Sequence, residues 1–256
     1  MKYVIQFSGG VGSWAAARRL VDELGTPADI ILLFADTRME DDDLYRFLRE
    51  AARDIGAMLI SVSDGRNPWQ VFRDEKYIGN TWIDPCSKIL KRNLLRKWIE
   101  KNCNPQGYTV VLGIDWTESH RFDKVVPRWQ PYKVIAPLCE APYLDKGQIL
   151  AQLEARGIRA PRLYGMGFPH NNCGGFCVKA GVTQFALLHK TMPERYAWHE
   201  RQEQMTQKVI GKPVTVLSRK RKGVKVPLSL RDFRLELEAK VEQEKDDWGG
   251  CGCAVD

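Results

Sequence analysis

An apolar run from Tyr3 to Phe7 passes directly into Ser8-Gly9-Gly10-Val11-Gly12-Ser13, and helix-forming sequence follows at once. A strand that ends in a glycine-rich turn and restarts as a helix is the opening of a βαβ unit. It also places unpaired backbone N–H groups at the positive end of a helix dipole, where an anion such as phosphate is favoured. The glycines let the backbone approach that anion, and the Ser8 and Ser13 hydroxyls add donors. The segment is not a Walker A loop, because it lacks the GK[ST] ending, and it is not the G-x-G-x-x-G dinucleotide fingerprint.

The first half of the chain keeps alternating the two periods. Trp14 to Leu24 reads as a helix with Ala17, Leu20, Val21 and Leu24 on one face, and Ile30 to Ala35 as a second strand. Asp41 to Ile55 carries Leu44, Phe47, Leu48, Ala51 and Ile55 at helical steps behind an acidic first turn. Further strands are expected at Ala57 to Val62, Tyr108 to Gly113 and Lys133 to Leu138, with a basic helix from about Ser87 to Lys101. This alternation predicts an α/β fold, a Rossmann-like parallel sheet of about five strands flanked by helices. Ligands of such sheets sit beyond the carboxyl ends of the strands. The Ser8 to Ser13 turn, the Asp36-Thr37-Arg38 turn and the Gly113 to Arg121 segment share that edge.

The second half is less regular. Asp145 is expected to cap a short helix through Leu153, Arg162 to Gly175 reads as loop, and Val178 to Val209 as mostly helix with a new start at Pro193. Lys212 to Lys225 is basic and contains no acidic residue, and Leu230, Phe233, Leu237 and Val241 form the stripe of a last helix. The expected organisation is a nucleotide-binding core over 1–140 and a mainly helical, cysteine-bearing region over 141–256, packed as one unit. With 256 residues, 44% hydrophobic and 28% charged, the composition is that of a globular protein. No apolar run approaches the roughly 20 residues of a membrane span, and the N-terminus lacks the pattern of a signal peptide, so a cytoplasmic location away from membranes is expected. The net charge of +7 suits anionic ligands.

Ser8-Gly9-Gly10-Val11-Gly12-Ser13 resembles the SGGxxS PP-loop of the adenine nucleotide alpha hydrolase superfamily. Phe34-Ala35-Asp36-Thr37-Arg38 and Gly113-Ile114-Asp115-Trp116-Thr117-Glu118-Ser119-His120-Arg121 are similar to segments of its phosphoadenosine phosphosulfate (PAPS) reductase branch. The resemblance implies an enzyme that binds an adenine nucleotide, ATP, PAPS or adenylylsulfate (APS), through Ser8, Gly9, Gly10, Gly12, Ser13, Asp36, Thr37, Gly113, Glu118 and Ser119. It makes Arg121 a phosphate or sulfate clamp. Two departures stand out. Gly12 occupies a position where many members carry aspartate, so a magnesium ion would need another group, and Asp115 replaces the usual arginine.

Seven cysteines in a chain expected in a reducing compartment point to metal binding or redox chemistry rather than disulfides. Cys86 precedes the basic helix, and Cys173 and Cys177 bracket Gly174-Gly175-Phe176, where the glycines permit a tight wrap around one metal. The resemblance to adenylylsulfate reductases implies a [4Fe-4S] cluster on Cys86, Cys173 and Cys177, with Cys251 of the tail as fourth ligand and zinc as the structural alternative. It also implies that Cys253 is the nucleophile of the sulfur chemistry. A thiol or sulfur-donor protein is then a required partner. Lys88, Lys91, Arg92, Arg96 and Lys97, together with Arg219-Lys220-Arg221-Lys222, are basic clusters that fit either substrate phosphates, a nucleic acid, or a solvated face. A second enzymatic reading is ATP-dependent adenylation and thiolation of DNA or RNA. A third is a metal-stapled nucleotide-binding subunit without turnover.

Overall fold

A computed structural model describes residues 1–79 and 83–246. They divide into two compact units, residues 1–71 with 85–177 and residues 72–84 with 178 onward.

The first unit is built on strands β1 (Lys2–Gln6), β2 (Ile30–Asp36), β3 (Met58–Ser63), β4 (Tyr108–Val111) and β5 (Lys133–Ile135), all parallel in the order β3-β2-β1-β4-β5. β1 is central, with Ile5 beside both Leu32 and Val111, and the connections proceed outward from it in both directions. Its carboxyl end is therefore the topological switch point where such sheets bind ligands. Alternation along the strands fills two cores. Ile5, Phe7, Leu32 and Phe34 face helices α1 (Val11–Leu24), α2 (Asp42–Ile55) and α4 (Lys146–Ala155). Val4, Leu33 and Ala35 face α3 (Leu94–Asn102) together with Trp129 and Tyr132. Both faces are covered, which is why β1 and β2 read as apolar runs.

Several boundaries differ from the expected ones for local reasons. α1 begins at Val11, three residues early, because Gly10 rather than a polar residue occupies the N-cap and the loop itself forms the first turn. β5 stops at Ile135, and Pro137 opens a 3-10 turn through Cys139, since proline cannot donate to the ladder. The basic helix is interrupted: Pro85–Ser87 is one α turn and Lys88–Asn93 winds as π-helix before α3. Asp145 caps α4 with a complete capping box to Gln148, as its position suggested.

α2 starts from a dense charge cluster. The buried Asp41 caps it, accepting the Asp43 N–H at 3.0 Å, and receives a bidentate pair from Arg162 at 2.8 and 2.7 Å. Asp43 accepts from Arg46 at 2.6 and 2.9 Å and from the Arg162 N–H at 2.8 Å. The Arg46 hydrogen bond above all holds Asp43 down at about 2. A depressed carboxyl contributes stability above its ordinary value of 3.8 and loses it as pH falls towards about 2. That contribution is about 2 kcal/mol. In urea titrations stability should therefore drop between pH 4 and pH 2, and Asp43→Asn should lower stability at pH 7 and flatten the acid limb.

The second unit contains α5 (Val182–Thr191), α6 (Pro193–Ile210), a hairpin of β6 (Leu217–Arg221) and β7 (Val224–Leu228), and α7 (Leu230–Asp246). The hairpin occupies the segment read from sequence as a basic run. The buried Glu203 of α6 accepts the Val216 N–H at 2.9 Å and the Leu230 N–H at 2.7 Å, so one carboxylate fastens both ends of the hairpin. Tyr196 donates to Leu230 O at 2.7 Å, and Arg234 of α7 pairs with Glu200 at 2.8 Å. Among the described residues no helix is long and apolar enough to cross a membrane.

Candidate nucleotide and thiol site

The phosphate loop is held open by its own small residues. Gly9 has φ +75, and a Cβ there would stand 2.3 Å from Leu44 Cδ1 in the core, so a side chain is excluded by both backbone and packing. Ser13 Oγ donates to Gly10 O at 2.8 Å, Ser8 Oγ lies 3.4 Å from Ser13 Oγ, and the Gly10 N–H reaches Ser8 Oγ at 3.3 Å. Both serines therefore brace the turn that precedes α1. Gly113, at the end of β4, closes on the loop from the other side, and a Cβ there would meet Ser13 Cα at 2.8 Å. Ser8, Gly9, Gly10, Gly12, Ser13 and Gly113 thus form one surface at the switch point.

Asp36 and Thr37 serve a neighbouring turn. Asp36 Oδ1 accepts from the Arg38 N–H and from the Tyr45 hydroxyl, both at 2.8 Å. Burial first, and then that bond to Asp36, raise the Tyr45 pKa. The buried Thr37 donates to Glu40 Oε1 at 2.9 Å. Glu40 is buried too, and its other oxygen accepts the Cys173 N–H at 2.6 Å while Lys91 Nζ lies 3.4 Å from Oε1. Thr37 is thereby connected through Glu40 to the thiol loop.

That loop is a left-handed arc. Cys173, Gly174 and Gly175 have φ of 50, 61 and 87, and non-glycine residues adopt such a conformation at a cost. Phe176 packs on the buried Trp69 with ring centroids 5.3 Å apart, which fixes the arc from within. Burial pushes the Cys173 thiol well above its ordinary pKa; Lys91 pulls it down, and Glu40, Cys177 and Cys86 push it up. For Lys91 burial is again the largest single influence, but it does not decide the outcome. Burial opposes its charge, but Glu40, Cys173 and Cys177 outweigh that and raise its pKa. The Cys173 thiol therefore senses the charges of Cys86 and Cys177, and Lys91 senses those of Cys173, Cys177 and Glu40. Among the described residues no three Cys, His, Asp or Glu side chains converge tightly enough to hold a single metal ion.

Asn171 joins the two loops. Two residues before Cys173, its Nδ2 donates to Gly9 O at 3.4 Å. Glu118, Ser119 and Arg121 remain on the outer edge of the sheet, where Arg121 pairs with Glu118 at 2.5 Å and both side chains are about half exposed (56% and 45%). Asp115 caps the turn Trp116–Glu118 by accepting the Thr117 N–H at 2.9 Å, a local reason for an acid there. Cys251 and Cys253, expected as ligand and nucleophile, lie outside the described residues. Sequence reasoning missed Glu40 and Asn171, the residues that tie the Asp36-Thr37 turn and the phosphate loop to the thiol loop. Of these Glu40 alone carried a signal, an acid three residues after Thr37.

No protein-family model and no curated protein matches the chain. The solved structures that resemble it include the following two. One is a phosphoadenylyl-sulfate (PAPS) reductase from Candida auris in a phosphate complex, at 15% identity and a TM-score of 0.44, covering 64% of this chain and 78% of that one. The other is the tRNA thiolase NcsA from Methanococcus maripaludis with its [4Fe-4S] cluster, at 16% identity and a TM-score of 0.44, covering 81% of this chain and 73% of that one.

Proposed function

We propose that this chain is a PP-loop enzyme that binds an adenine nucleotide at Ser8 to Ser13 and performs sulfur chemistry with its cysteines. The observation that carries this reading is the hydrogen bond to Gly9 O from Asn171, which lies two residues before Cys173 in the thiol loop. A nucleotide held there presents its phosphate or sulfonate end to the thiol loop. The loop N–H groups and the α1 dipole bind and orient the anion, Glu40 fixes the Cys173 backbone, and Lys91 supplies positive charge among the thiols.

The Cys173 thiol senses the charges of Cys86 and Cys177; thiolate ligands suit zinc and an iron–sulfur cluster alike, and the PAPS reductase-like resemblance favours the cluster. Cys86, Cys173 and Cys177 would hold a [4Fe-4S] cluster, with Cys251 as the proposed fourth ligand. When bound, such a cluster supplies an iron site for sulfur or for electron delivery. Magnesium fits less well at the loop, because the first turn of α1 carries no acidic residue and position 12 is glycine.

In the reductase reading the Cys253 thiolate attacks the sulfonate sulfur of PAPS or APS. The S–O bond to the nucleotide breaks, and the nucleotide phosphate leaves with the electron pair. An external thiol then attacks the enzyme sulfur, releasing sulfite and leaving a mixed disulfide for a second thiol to reduce. Arg121, at the open edge, would clamp the departing anion. The hairpin favours a second reading, because residues 212–225 carry six basic and no acidic side chains, as a nucleic-acid backbone prefers. There ATP adenylates an oxygen of the nucleic acid with release of pyrophosphate, the terminal sulfur of a persulfide brought by a sulfur donor displaces AMP, and a second thiol cleaves the resulting disulfide to leave the sulfur on the nucleic acid.

Anaerobic incubation with ATP, PAPS or APS, with and without RNA or DNA, separates these. Sulfite release in the presence of a thiol supports reduction, and AMP with pyrophosphate stimulated by nucleic acid supports thiolation. Neither product from any combination would leave a nucleotide-binding subunit and overturn the enzymatic reading.

A further inference from the structure

The phosphate loop has a second wall supplied by two later segments. Tyr164, in the short helical turn Arg162–Gly165, places its hydroxyl 3.4 Å from where a Cβ on Gly10 would stand, and the Val11 N–H interacts with the same oxygen. Lys146, the first residue of α4, holds Nζ 4.3 Å from the centre of the Tyr164 ring and donates to Pro169 O at 2.8 Å. That partner is a carbonyl, so it leaves the charge unneutralised, and an ammonium has two further protons to give. Asn171 adds an independent sign of a ligand. It is 6% exposed, and its Oδ1 is buried with no hydrogen-bond partner among the described residues. A buried acceptor left this way is costly, and a ligand hydroxyl beside Gly9 would satisfy it.

We propose that Lys146 and Tyr164 form the outer half of the phosphate site, with Lys146 supplying the nucleotide's phosphate chain with the positive charge that a loop without an acid at position 12 does not recruit through a divalent ion. The inference rests on the nucleotide-binding reading above and specifies how the charge is met. The Tyr164 hydroxyl stands beside the Gly10 turn, where its proton can turn to a ligand oxygen. Burial raises its pKa and keeps that proton in place. Lys146 and Tyr164 thus extend the loop's row of backbone donors by two side-chain donors. Asn171 Oδ1 accepts from a ribose hydroxyl on the same ligand.

The test is calorimetric titration of the full chain with ATP and with inorganic pyrophosphate, in EDTA and in magnesium, for the wild type, Lys146→Met, Lys146→Arg and Tyr164→Phe. Lys146 is an exposed first-turn residue, so its variants should melt like the wild type. The expected result is binding that persists in EDTA, falls about tenfold in Lys146→Met for both ligands, and recovers to within about threefold in Lys146→Arg. Tyr164→Phe should lose a few fold. ATP binding by the wild type that is unchanged in Lys146→Met overturns this inference alone, as does binding that disappears in EDTA. A wild type that binds neither ligand under any condition, and neither PAPS nor APS in the same titration, overturns the nucleotide reading beneath it.

Discussion

Gly113→Ala should destabilise the first unit by about 1–3 kcal/mol, as overpacking of a closed site does, and should weaken nucleotide binding at least about tenfold. The added Cβ would stand 2.8 Å from Ser13 Cα and 3.0 Å from Ser13 N, and both atoms are backbone. No rotamer relieves such a contact. Either β4 retreats, breaking its parallel pairing with β1, or the start of α1 moves and takes with it the buried Trp14, Ala15, Ala16 and Ala17. Moving Ser13 also breaks its bond to Gly10 O, which shapes the phosphate loop. Gly12→Ala is the matched control. Its Cβ would meet Gly113 O at 3.5 Å, an ordinary contact, and the residue is helical, so this variant should be neutral or more stable by up to about 1 kcal/mol. Urea melts and nucleotide titrations of the two variants check the pair. Equal effects would show that the β4 end does not press on the loop as described.

The second large effect is expected at Cys173. A cysteine at φ 50, ψ 36 holds a conformation that glycine adopts freely, so relieving it should be worth about 1 kcal/mol. Cys173→Gly should therefore leave the metal-free protein as stable as the wild type or slightly more so. The same substitution should abolish iron and sulfide binding after anaerobic reconstitution and bleach the visible absorption. A thiol kept for packing predicts the opposite, lower stability from a lost buried side chain with no change in colour or iron content. Strain of this kind persists where function requires the side chain, and Glu40 and the Phe176–Trp69 contact are what enforce it here.

The strands and helices of the first unit were legible because their periods are clean. Ile5, Phe7, Leu32 and Phe34 alternate with Val4, Leu33 and Ala35, and Leu44, Phe47, Leu48, Ala51 and Ile55 trace one helix face. The loop Ser8 to Ser13 was legible because glycines after a strand have a direct physical meaning at a helix start. The hairpin Leu217–Leu228 was not, because Arg219, Lys220 and Arg221 break the apolar alternation and the fastening carboxylate, Glu203, lies on another element. The π turn at Lys88–Asn93 was hidden for a similar reason, since no local pattern separates it from an α turn. The thiol cluster was partly legible: the glycines of the Cys173 loop announced a tight turn, but Glu40 and Lys91 meet it across 82 to 133 positions of sequence. Tyr164 and Asn171 reach the phosphate loop, and Lys146 reaches Tyr164, from similarly remote segments, so no spacing rule could assign them.

The central claim is that the phosphate loop and the thiol loop are two halves of one site. The most direct measurement compares nucleotide binding with nucleotide consumption in the reconstituted wild type and in Cys173→Gly, using whichever of ATP, PAPS or APS the wild type turns over. The account predicts that the variant binds the nucleotide within about threefold of the wild type and consumes it at less than about one hundredth of the rate, a separation of more than about 2.7 kcal/mol in the chemical step alone. Undiminished consumption by Cys173→Gly would contradict it.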